Sequence, residues 1–169
     1  MLIGLIADTH GYLDRRVPPA LKGVELILHA GDIGAEGVLA ELASIAPVTA
    51  VAGNNDTNLA QLGLPLRVDM ELEGVKLHLV HRLIDAAPGS GTRIVVYGHS
   101  HKAVIAEREG MLWVNPGAAG RVGFHHEVSV ALLRLDDDRC EAELGLLGPR
   151  VVAARGSAAL GHASQRSHL

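Results

Sequence analysis

Residues 2–10 read LIGLIADTH, in which the apolar run Leu2–Ala7 is followed at once by Asp8 and His10. A short continuous apolar run of this kind is typical of a strand that is buried on both faces. Open α/β sheets bind ligands at the carboxyl ends of their strands, so Asp8 and His10 stand where a ligand is expected. Asp-Thr-His alone is more often an ordinary turn, and the interpretation therefore depends on how the other strands end.

Four more apolar runs end at residues that can bind a metal ion. The pairs of run and polar end are Val24–Leu28 with Gly31-Asp32, Val48–Ala52 with Gly53-Asn54-Asn55-Asp56, Val75–Val80 with His81, and Ile94–Tyr97 with Gly98-His99-Ser100-His101. Taken singly, Asp32 would suit a helix N-cap and the Asn-rich segment would suit a turn. Turns and caps do not explain five coincidences at strand ends, so these residues predict one shared metal site.

The predicted ligands comprise two carboxylates, one amide oxygen and four imidazoles. They are Asp8, His10, Asp32, Asn54, His81, His99 and His101. A mixed nitrogen and oxygen set without thiolate favours Mn²⁺, Fe or Zn²⁺, with Ni²⁺ and Co²⁺ as further alternatives. A carboxylate such as Asp32 can bridge two cations, one through each oxygen, and two metals held in this way can clamp a phosphoryl group. The ligand set therefore predicts chemistry on a phosphate ester.

Helices are predicted between the first strands and hairpins later in the chain. Ala35–Ala46 has helical spacing, whereas Pro18 and Pro19 weaken the helix candidate Leu13–Leu21. Strands that alternate with helices indicate a parallel sheet. A first hairpin pairs Leu66–Leu72 with Val75–Val80 around Glu73-Gly74, and a loop or short helix follows at Leu83–Gly91. The strands Val104–Glu107 and Met111–Val114 flank a turn at Glu109-Gly110. A last hairpin pairs Val128–Leu135 with Cys140–Leu147 around Asp136-Asp137-Asp138. An α/β fold follows, with two packed sheets flanked by helices.

Composition limits the classes of function. The 169 residues are 48% hydrophobic, which suits one domain with a real core and excludes wholesale disorder. Aromatic residues make up 2% and the net charge is −4, so strong nucleic-acid binding is not expected. The single cysteine, Cys140, and the lack of an apolar run of about 20 residues predict a cytoplasmic protein without a membrane span. We expect one domain over residues 1–147 and a flexible tail over 148–169.

The ordered set Asp-x-His, Gly-Asp, Gly-Asn-x-Asp, His and Gly-His-x-His resembles the calcineurin-like metallophosphoesterase superfamily. The short chain and the turn Asn115-Pro116-Gly117 are similar to its small phosphodiesterases of the YfcE type. The resemblance implies a four-layer α-β-β-α sandwich of two mixed β-sheets and a hydroxide between the metals as nucleophile. It assigns one metal to Asp8, His10, Asp32 and His101, and the other to Asp32, Asn54, His81 and His99. Asp32 would bridge, and Asp32, Asn54 and His99 would act in catalysis through the metals.

Three departures from the family pattern concern the substrate. Many members have a His, thought to protonate the leaving group, where this chain has Asn55, which has no useful acidity. Arg82 follows the ligand His81 where Gly is usual, and its guanidinium would bind a substrate phosphate or point to solvent. Arg121 follows the Asn115 turn, which the family places in the substrate wall; a plain turn with a surface Arg is the alternative. The predicted substrate residues are Asn55, Arg82, Asn115 and Arg121.

The leading hypothesis is a dinuclear metal-dependent phosphodiesterase acting on a small phosphate ester. A phosphomonoesterase can use the same pair of metals, and a metal-free interaction scaffold with this fold is a further alternative, although a retired site should show broken ligands. Apolar edge strands and the resemblance suggest a homodimer. Among the remaining histidines, His29 is predicted to orient the bridging carboxylate and His78 to be structural. His125 and His126 would reach the site only if the 120–124 loop folds back.

Overall fold

The computed structural model describes residues 1–121, 123–136 and 139–150. Its ten strands are β1 Leu2–Ile6, β2 Leu26–His29, β3 Val48–Ala50, β4 Arg67–Leu72, β5 Val75–Val80, β6 Thr92–Val96, β7 Val104–Arg108, β8 Met111–Asn115, β9 Glu127–Asp136 and β10 Arg139–Pro149. The helices are α1 Val17–Ala20 and α2 Glu36–Ala43, and two 3₁₀ turns follow later in the chain at Thr57–Leu62 and Leu83–Asp85. None of the described helices has the length and apolarity that a membrane span requires.

The strands form two mixed sheets of five strands each. The first sheet has the order β10-β9-β1-β2-β3, in which β1, β2 and β3 run parallel, β9 pairs antiparallel with β1, and β10 pairs antiparallel with β9. The second sheet has the order β4-β5-β6-β8-β7, in which β5, β6 and β8 run parallel and the two outer strands are antiparallel. The predicted α/β class with two mixed sheets is thereby confirmed. Parallel strands at the centre of both sheets send their carboxyl ends to the same edge of the molecule.

The core has two parts, one on each face of the first sheet. Between the sheets, fully buried aliphatic side chains of both sheets meet, among them Leu5, Leu28, Leu79 and Val96. On the outer face of the first sheet, α1 and α2 pack their apolar sides against β1, β2 and β9. Large aromatic residues contribute little, so the interior is filled by branched aliphatic side chains. Burial of these faces supplies the main stabilisation of the sandwich.

The two predicted helices are present but shorter than the sequence patterns suggested. The predicted helix Leu13–Leu21 reduces to Val17–Ala20, because prolines are compatible with a first helical turn and not with an interior. The segment Leu83–Gly91, predicted as a loop or short helix, contains the 3₁₀ turn Leu83–Asp85, none of whose residues is buried. The predicted turns at Glu73-Gly74 and Glu109-Gly110 have positive φ at both residues, as tight hairpins require.

The C-terminal predictions are only partly covered by the structure. Strand β10 continues to Pro149, two residues beyond the predicted domain boundary at residue 147. Asp137 and Asp138 of the predicted last turn, and residues 151–169 of the predicted tail with His162 and His168, lie outside the described residues. The edge strands β3, β4, β7 and β10 have one side without a strand partner among the described residues. The homodimer stays a prediction.

Candidate metal centre

The loops that follow β1, β2, β3, β5 and β6 converge on one edge of the sandwich. Backbone hydrogen bonds join successive loops: the Asp8 amide donates to the Gly31 carbonyl at 3.0 Å, and the His10 amide donates to the Asp32 carbonyl at 2.9 Å. In the second sheet, the loops after β5 and β6 are joined in the same way, because the Gly98 amide donates to the His81 carbonyl at 2.9 Å. These bonds hold the predicted ligands from both sheets in a fixed relation.

Five of the predicted ligands adopt a left-handed backbone conformation. Their φ angles are 54° at Asp8, 47° at His10, 55° at Asp32, 67° at His99 and 56° at His101. In the described part of the chain, the other non-glycine residues with positive φ are Glu73 and Glu109, both in hairpin turns. Positive φ costs about 1–3 kcal/mol for a residue with a side chain and tends to cluster at functional sites. The backbone therefore turns sharply at each of these strand ends to aim a side chain into the cleft.

The first ligand cluster consists of Asp8, His10 and His101. Nε2 of His10 lies 3.2 Å from Nε2 of His101, and Nε2 of His101 lies 3.4 Å from Oδ1 of Asp8. Asp8 is completely buried, and neither of its carboxylate oxygens has a hydrogen-bond partner among the described residues. A buried carboxylate without any donor is costly, so its surroundings call for a cation.

The second ligand cluster consists of Asp32, His81 and His99, with Asn54 beside them. Nε2 of His81 lies 3.0 Å from Oδ1 of Asn54 and 3.4 Å from Oδ1 of Asp32. Nδ1 of His81 lies 2.7 Å from the Ala30 carbonyl, which can only accept, so Nδ1 carries the hydrogen. In the neutral form of this ring, Nε2 points an unshared electron pair at two oxygen acceptors, and a cation at this point satisfies all three. Both donor sets fit divalent metal ions.

Asp32 connects the two clusters. Its Oδ2 lies 3.8 Å from Nε2 of His10, and its Oδ1 faces His81 in the other cluster. Asn55 fixes the carboxylate, because its backbone amide donates to Oδ1 at 2.9 Å and its side-chain amide donates to Oδ2 at 2.6 Å. Burial raises the pKa of Asp32, but His81 and the two Asn55 donors outweigh burial and hold the pKa well below its usual range. The bridging position predicted for Asp32 thus carries a permanent negative charge.

The pKa of His81 responds to the same contacts in the opposite direction. Burial lowers it, but the Asp32 carboxylate and the Ala30 carbonyl outweigh burial and raise the pKa above its ordinary value. A ring that gains stability from a positive charge at Nε2 is suited to a metal cation at that atom. This electrostatic preference agrees with the contacts of the second cluster.

The predicted substrate residues are distributed around the centre. Asn55 lines a cavity of about 300 Å³ together with residues of both clusters, and its side chain also bonds Asp32. Arg82 lines a neighbouring cavity of about 670 Å³ beside Asn54 and His81. Its guanidinium is half-exposed and its Nε donates to Asp85 at 2.6 Å. Arg82 therefore stands next to the second cluster with a surface carboxylate as its partner.

Neither Asn115 nor Arg121 lines the 300 Å³ cavity beside the two clusters. Asn115 is completely buried, and its amide donates to the Gly98 carbonyl at 2.8 Å and to Oγ of Ser100 at 3.1 Å. Its side chain thus braces the loop that carries His99 and His101, which the sequence did not indicate. The guanidinium of Arg121 lies over the Tyr12 ring, 4.3 Å from its centre.

Three further histidines have defined roles in the packing. His29 is completely buried, and its Nε2 donates to Oγ1 of Thr9 at 3.0 Å, since that hydroxyl donates to the Ile33 carbonyl. It therefore lies between the loops after β1 and β2 and contacts no ligand carboxylate. His78 is buried and bonds Oδ1 of Asp69 at 2.7 Å, as suits a structural residue. The loop before β9 folds back, which brings His125 against His101.

We expect His29 to make the metal-free protein less stable as the pH falls below about 6.5. Burial lowers the pKa of His29 to about 4. Between pH about 6.5 and about 4, His29 is protonated in the unfolded chain and neutral in the folded chain. The contribution of the neutral His29 to the free energy of unfolding is therefore complete above pH about 6.5 and is lost as the pH falls toward about 4. The slope reaches about 1.4 kcal/mol per pH unit. His29→Gln keeps a donor for Thr9 but cannot titrate, so urea unfolding of the chelated variant should show a flatter pH profile; an identical profile would contradict this assignment.

Comparison with known proteins agrees with this geometry. A family profile described as the calcineurin-like phosphoesterase superfamily domain matches residues 1–138. A probable metallophosphoesterase of Methanothermobacter thermautotrophicus is 33% identical over 159 residues, covering 85% of this chain and 91% of the relative. A phosphodiesterase of Methanocaldococcus jannaschii is 29% identical over 139 residues, covering 69% of this chain and 83% of the relative.

Solved structures show the same fold at lower identity. A single-substitution variant of Vps29 from Entamoeba histolytica has a TM-score of 0.71 at 20% identity and covers 88% of this chain and 100% of its own. A structure described as a novel archaeal phosphodiesterase has a TM-score of 0.68 at 22% identity and covers 85% of this chain and 99% of its own. The family profile, the curated relatives and the two ligand clusters lead to one conclusion: the chain belongs to the calcineurin-like phosphoesterase superfamily.

Proposed function

We propose that this chain is a dinuclear metal-dependent phosphodiesterase that hydrolyses a small phosphate diester. The observation that carries the proposal is the pair of ligand clusters joined through the two oxygens of Asp32. Asp8, His10, Asp32 and His101 would hold one divalent ion, and Asp32, Asn54, His81 and His99 the other. When bound, two such ions would lower the pKa of a metal-bound water and would stabilise the negative charge that develops on the phosphoryl oxygens. Among the ions that mixed nitrogen and oxygen donors accept, we propose Mn²⁺ as the native metal, with Fe, Zn²⁺, Ni²⁺ and Co²⁺ as the alternatives.

The residues around the clusters supply binding and orientation. Asn55 keeps both oxygens of Asp32 in place, so the carboxylate does not rotate when a substrate enters. Arg82 and Arg67 add positive charge to the 670 Å³ cavity beside His81, where a diester can place one of its two substituents. Asn115 acts by bracing the loop of His99 and His101, and Arg121, which lies over the Tyr12 ring, is retained as a candidate phosphate contact. A site whose side chains are held by such contacts limits reorganisation during the reaction.

Two other functions can be distinguished from this proposal. A phosphomonoesterase would use the same ligands, but the wide cavity beside the second cluster provides room for a second ester substituent. A metal-free scaffold needs no ligands, whereas all seven predicted ligands are present and six of them form the two clusters. We further propose that the catalytic domain comprises residues 1–147 and that the protein works in the cytoplasm.

Metal analysis followed by a substrate panel tests the function. We expect the purified protein to carry two metal ions per chain. After chelation, added Mn²⁺ should restore hydrolysis of bis(p-nitrophenyl) phosphate more strongly than hydrolysis of p-nitrophenyl phosphate. At most one tightly bound ion, with no gain from Mn²⁺, would contradict the dinuclear mechanism. A preference for the monoester would favour the phosphomonoesterase, and a metal-loaded protein inert on both esters would favour the scaffold.

Asn55→His is expected to raise hydrolysis of alkyl esters relative to aryl esters. Alkyl leaving groups need a proton, which a neutral amide does not supply and an imidazole near neutral pH does, with an effect of about 10²–10⁴-fold for a well-placed acid. The ratio of methyl to p-nitrophenyl diester hydrolysis measures the change. Asn55→Asp is the matched control, because it also removes the side-chain donor to Asp32 without adding an acid of suitable pKa. An unchanged ratio would show that the missing proton donor does not limit the reaction.

A further inference from the structure

His125 lies against the first ligand cluster without being one of its ligands. Its Nδ1 is 3.4 Å from Nδ1 of His101, and the two ring centres are 5.4 Å apart. The side chain is buried, with 6% of its surface exposed, although its chain neighbours Phe124 and His126 are exposed. The contact joins residues 24 positions apart and depends on the fold of the loop before β9.

The hydrogen-bond partners determine which nitrogen atoms carry hydrogen. Nε2 of His125 lies 3.0 Å from the Gly120 carbonyl, which can only accept, so Nε2 of His125 is the donor. With the ring hydrogen on Nε2, Nδ1 of His125 has an unshared electron pair and can accept a hydrogen bond. Nδ1 of His101 faces that electron pair and must supply the hydrogen. His101 therefore has a bare Nε2, which is the atom that faces Asp8 at 3.4 Å and His10 at 3.2 Å.

The loop is shaped to allow this approach. A Cβ atom built on Gly123 would collide with Nδ1 and Cε1 of the His101 ring and would also crowd His125. Gly123 has a φ of 129°, a conformation that side-chain-bearing residues rarely adopt. The loop thus passes close beside His101 at a residue without a side chain and then returns His125 to the same ring.

We propose that His125 is a positioning residue that holds His101 in the tautomer and orientation in which Nε2 binds the first metal ion. The inference rests on the proposed function, because it assigns His101 to a metal. A ligand imidazole usually donates its other ring hydrogen to a carboxylate, a carbonyl or a water, and loss of that partner costs about 10–100-fold in metal affinity. Here a second imidazole takes this place, so the acceptor is neutral and adds no charge to the cluster.

Three variants separate positioning from folding. His125→Gln can still donate to the Gly120 carbonyl but has no acceptor at the Nδ1 position. His125→Asn keeps an acceptor near that position and loses the donor to Gly120. His126→Gln changes the exposed neighbour and serves as the matched control.

Two measurements on chelated protein give the readouts. Long-range nitrogen–proton NMR of the imidazole rings reports the tautomer of His101 without any metal, and calorimetric titration with Mn²⁺ reports affinity at each cluster. We expect His125→Gln to lose the Nδ1–H form of His101 and to bind the first Mn²⁺ about 10–100-fold more weakly, with the second cluster unchanged. His125→Asn should retain most of the affinity, and His126→Gln all of it.

An unchanged His101 tautomer together with unchanged Mn²⁺ affinity in His125→Gln would overturn the proposal. Equal losses at both clusters in both His125 variants, accompanied by a lower unfolding midpoint, would also overturn it, because a structural role would then explain them. If the unmodified protein binds no Mn²⁺, the proposed function fails. The tautomer of His101 in chelated His125→Gln still decides whether His125 determines which nitrogen of the His101 ring carries the hydrogen.

Discussion

Asp32→Asn is expected to abolish diester hydrolysis while the metal-free protein remains folded. Oδ1 of Asp32 faces His81 at 3.4 Å and Oδ2 faces His10 at 3.8 Å, so this side chain belongs to both clusters. Asn has the same shape, tolerates the positive φ of 55°, and can still accept the Asn55 amide hydrogen. What it lacks is the charge and the second oxygen that two cations would share.

The expected loss in kcat/KM is at least about 10³-fold, equivalent to about 4 kcal/mol of transition-state stabilisation. Metal content should fall from two ions to one or none, and urea unfolding of the chelated variant should stay close to that of the unmodified protein. Asp136→Asn, at the exposed end of β9, is the matched control and should change neither quantity. Diester hydrolysis retained in Asp32→Asn would remove Asp32 from the bridging position.

Gly53→Ala should be nearly as damaging, although it adds a single methyl group and removes no ligand. A Cβ atom on Gly53 would collide with Oδ1 and with the backbone nitrogen of Asp32. Because one of these neighbours is backbone, a change of side-chain rotamer does not relieve the clash. The loop after β3 must therefore move, and it carries Asn54, whose Oδ1 lies 3.0 Å from Nε2 of His81.

We expect Gly53→Ala to lower the free energy of unfolding by about 1–3 kcal/mol, as overpacking usually does. Displacement of ligands by about 1 Å should cost on the order of 10²-fold in diester hydrolysis. Gly37→Ala is the control: Gly37 is the second residue of α2, a Cβ atom there meets open space, and alanine should not lower the free energy of unfolding. Full activity in Gly53→Ala would mean that the loop adapts and that the close approach has no functional weight.

Features that depend on neighbouring residues in the chain could be predicted from the sequence. Apolar runs became strands, and the hairpin turns at Glu73-Gly74 and Glu109-Gly110 formed where expected, because periodicity and turn residues act locally. Strand ends predicted the ligands for a related reason, since parallel strands deliver their carboxyl ends to a common edge. Seven residues spread from Asp8 to His101 are close together as a result.

Contacts that depend on loop packing could not be predicted. Asn115 was expected at a substrate wall, but it is buried behind the His99–His101 loop, and its sequence neighbourhood does not specify that direction. Asn55 was expected to face the substrate, and its amide also holds both oxygens of Asp32. The approach of His125 to His101 requires the loop before β9 to fold back, which a single sequence does not reveal.

The left-handed backbone at five ligand positions limits how this scaffold can change during evolution. Asp and His, which occupy all five positions, are among the side-chain-bearing residues that enter this conformation most readily. Exchange of a ligand for Glu or Cys would alter the metal preference but would carry a conformational cost at the same site. Divergence in metal choice should therefore arise from residues that contact the predicted ligands, such as Asn55 and His125, or the loop that carries them, such as Asn115, while the ligands themselves persist.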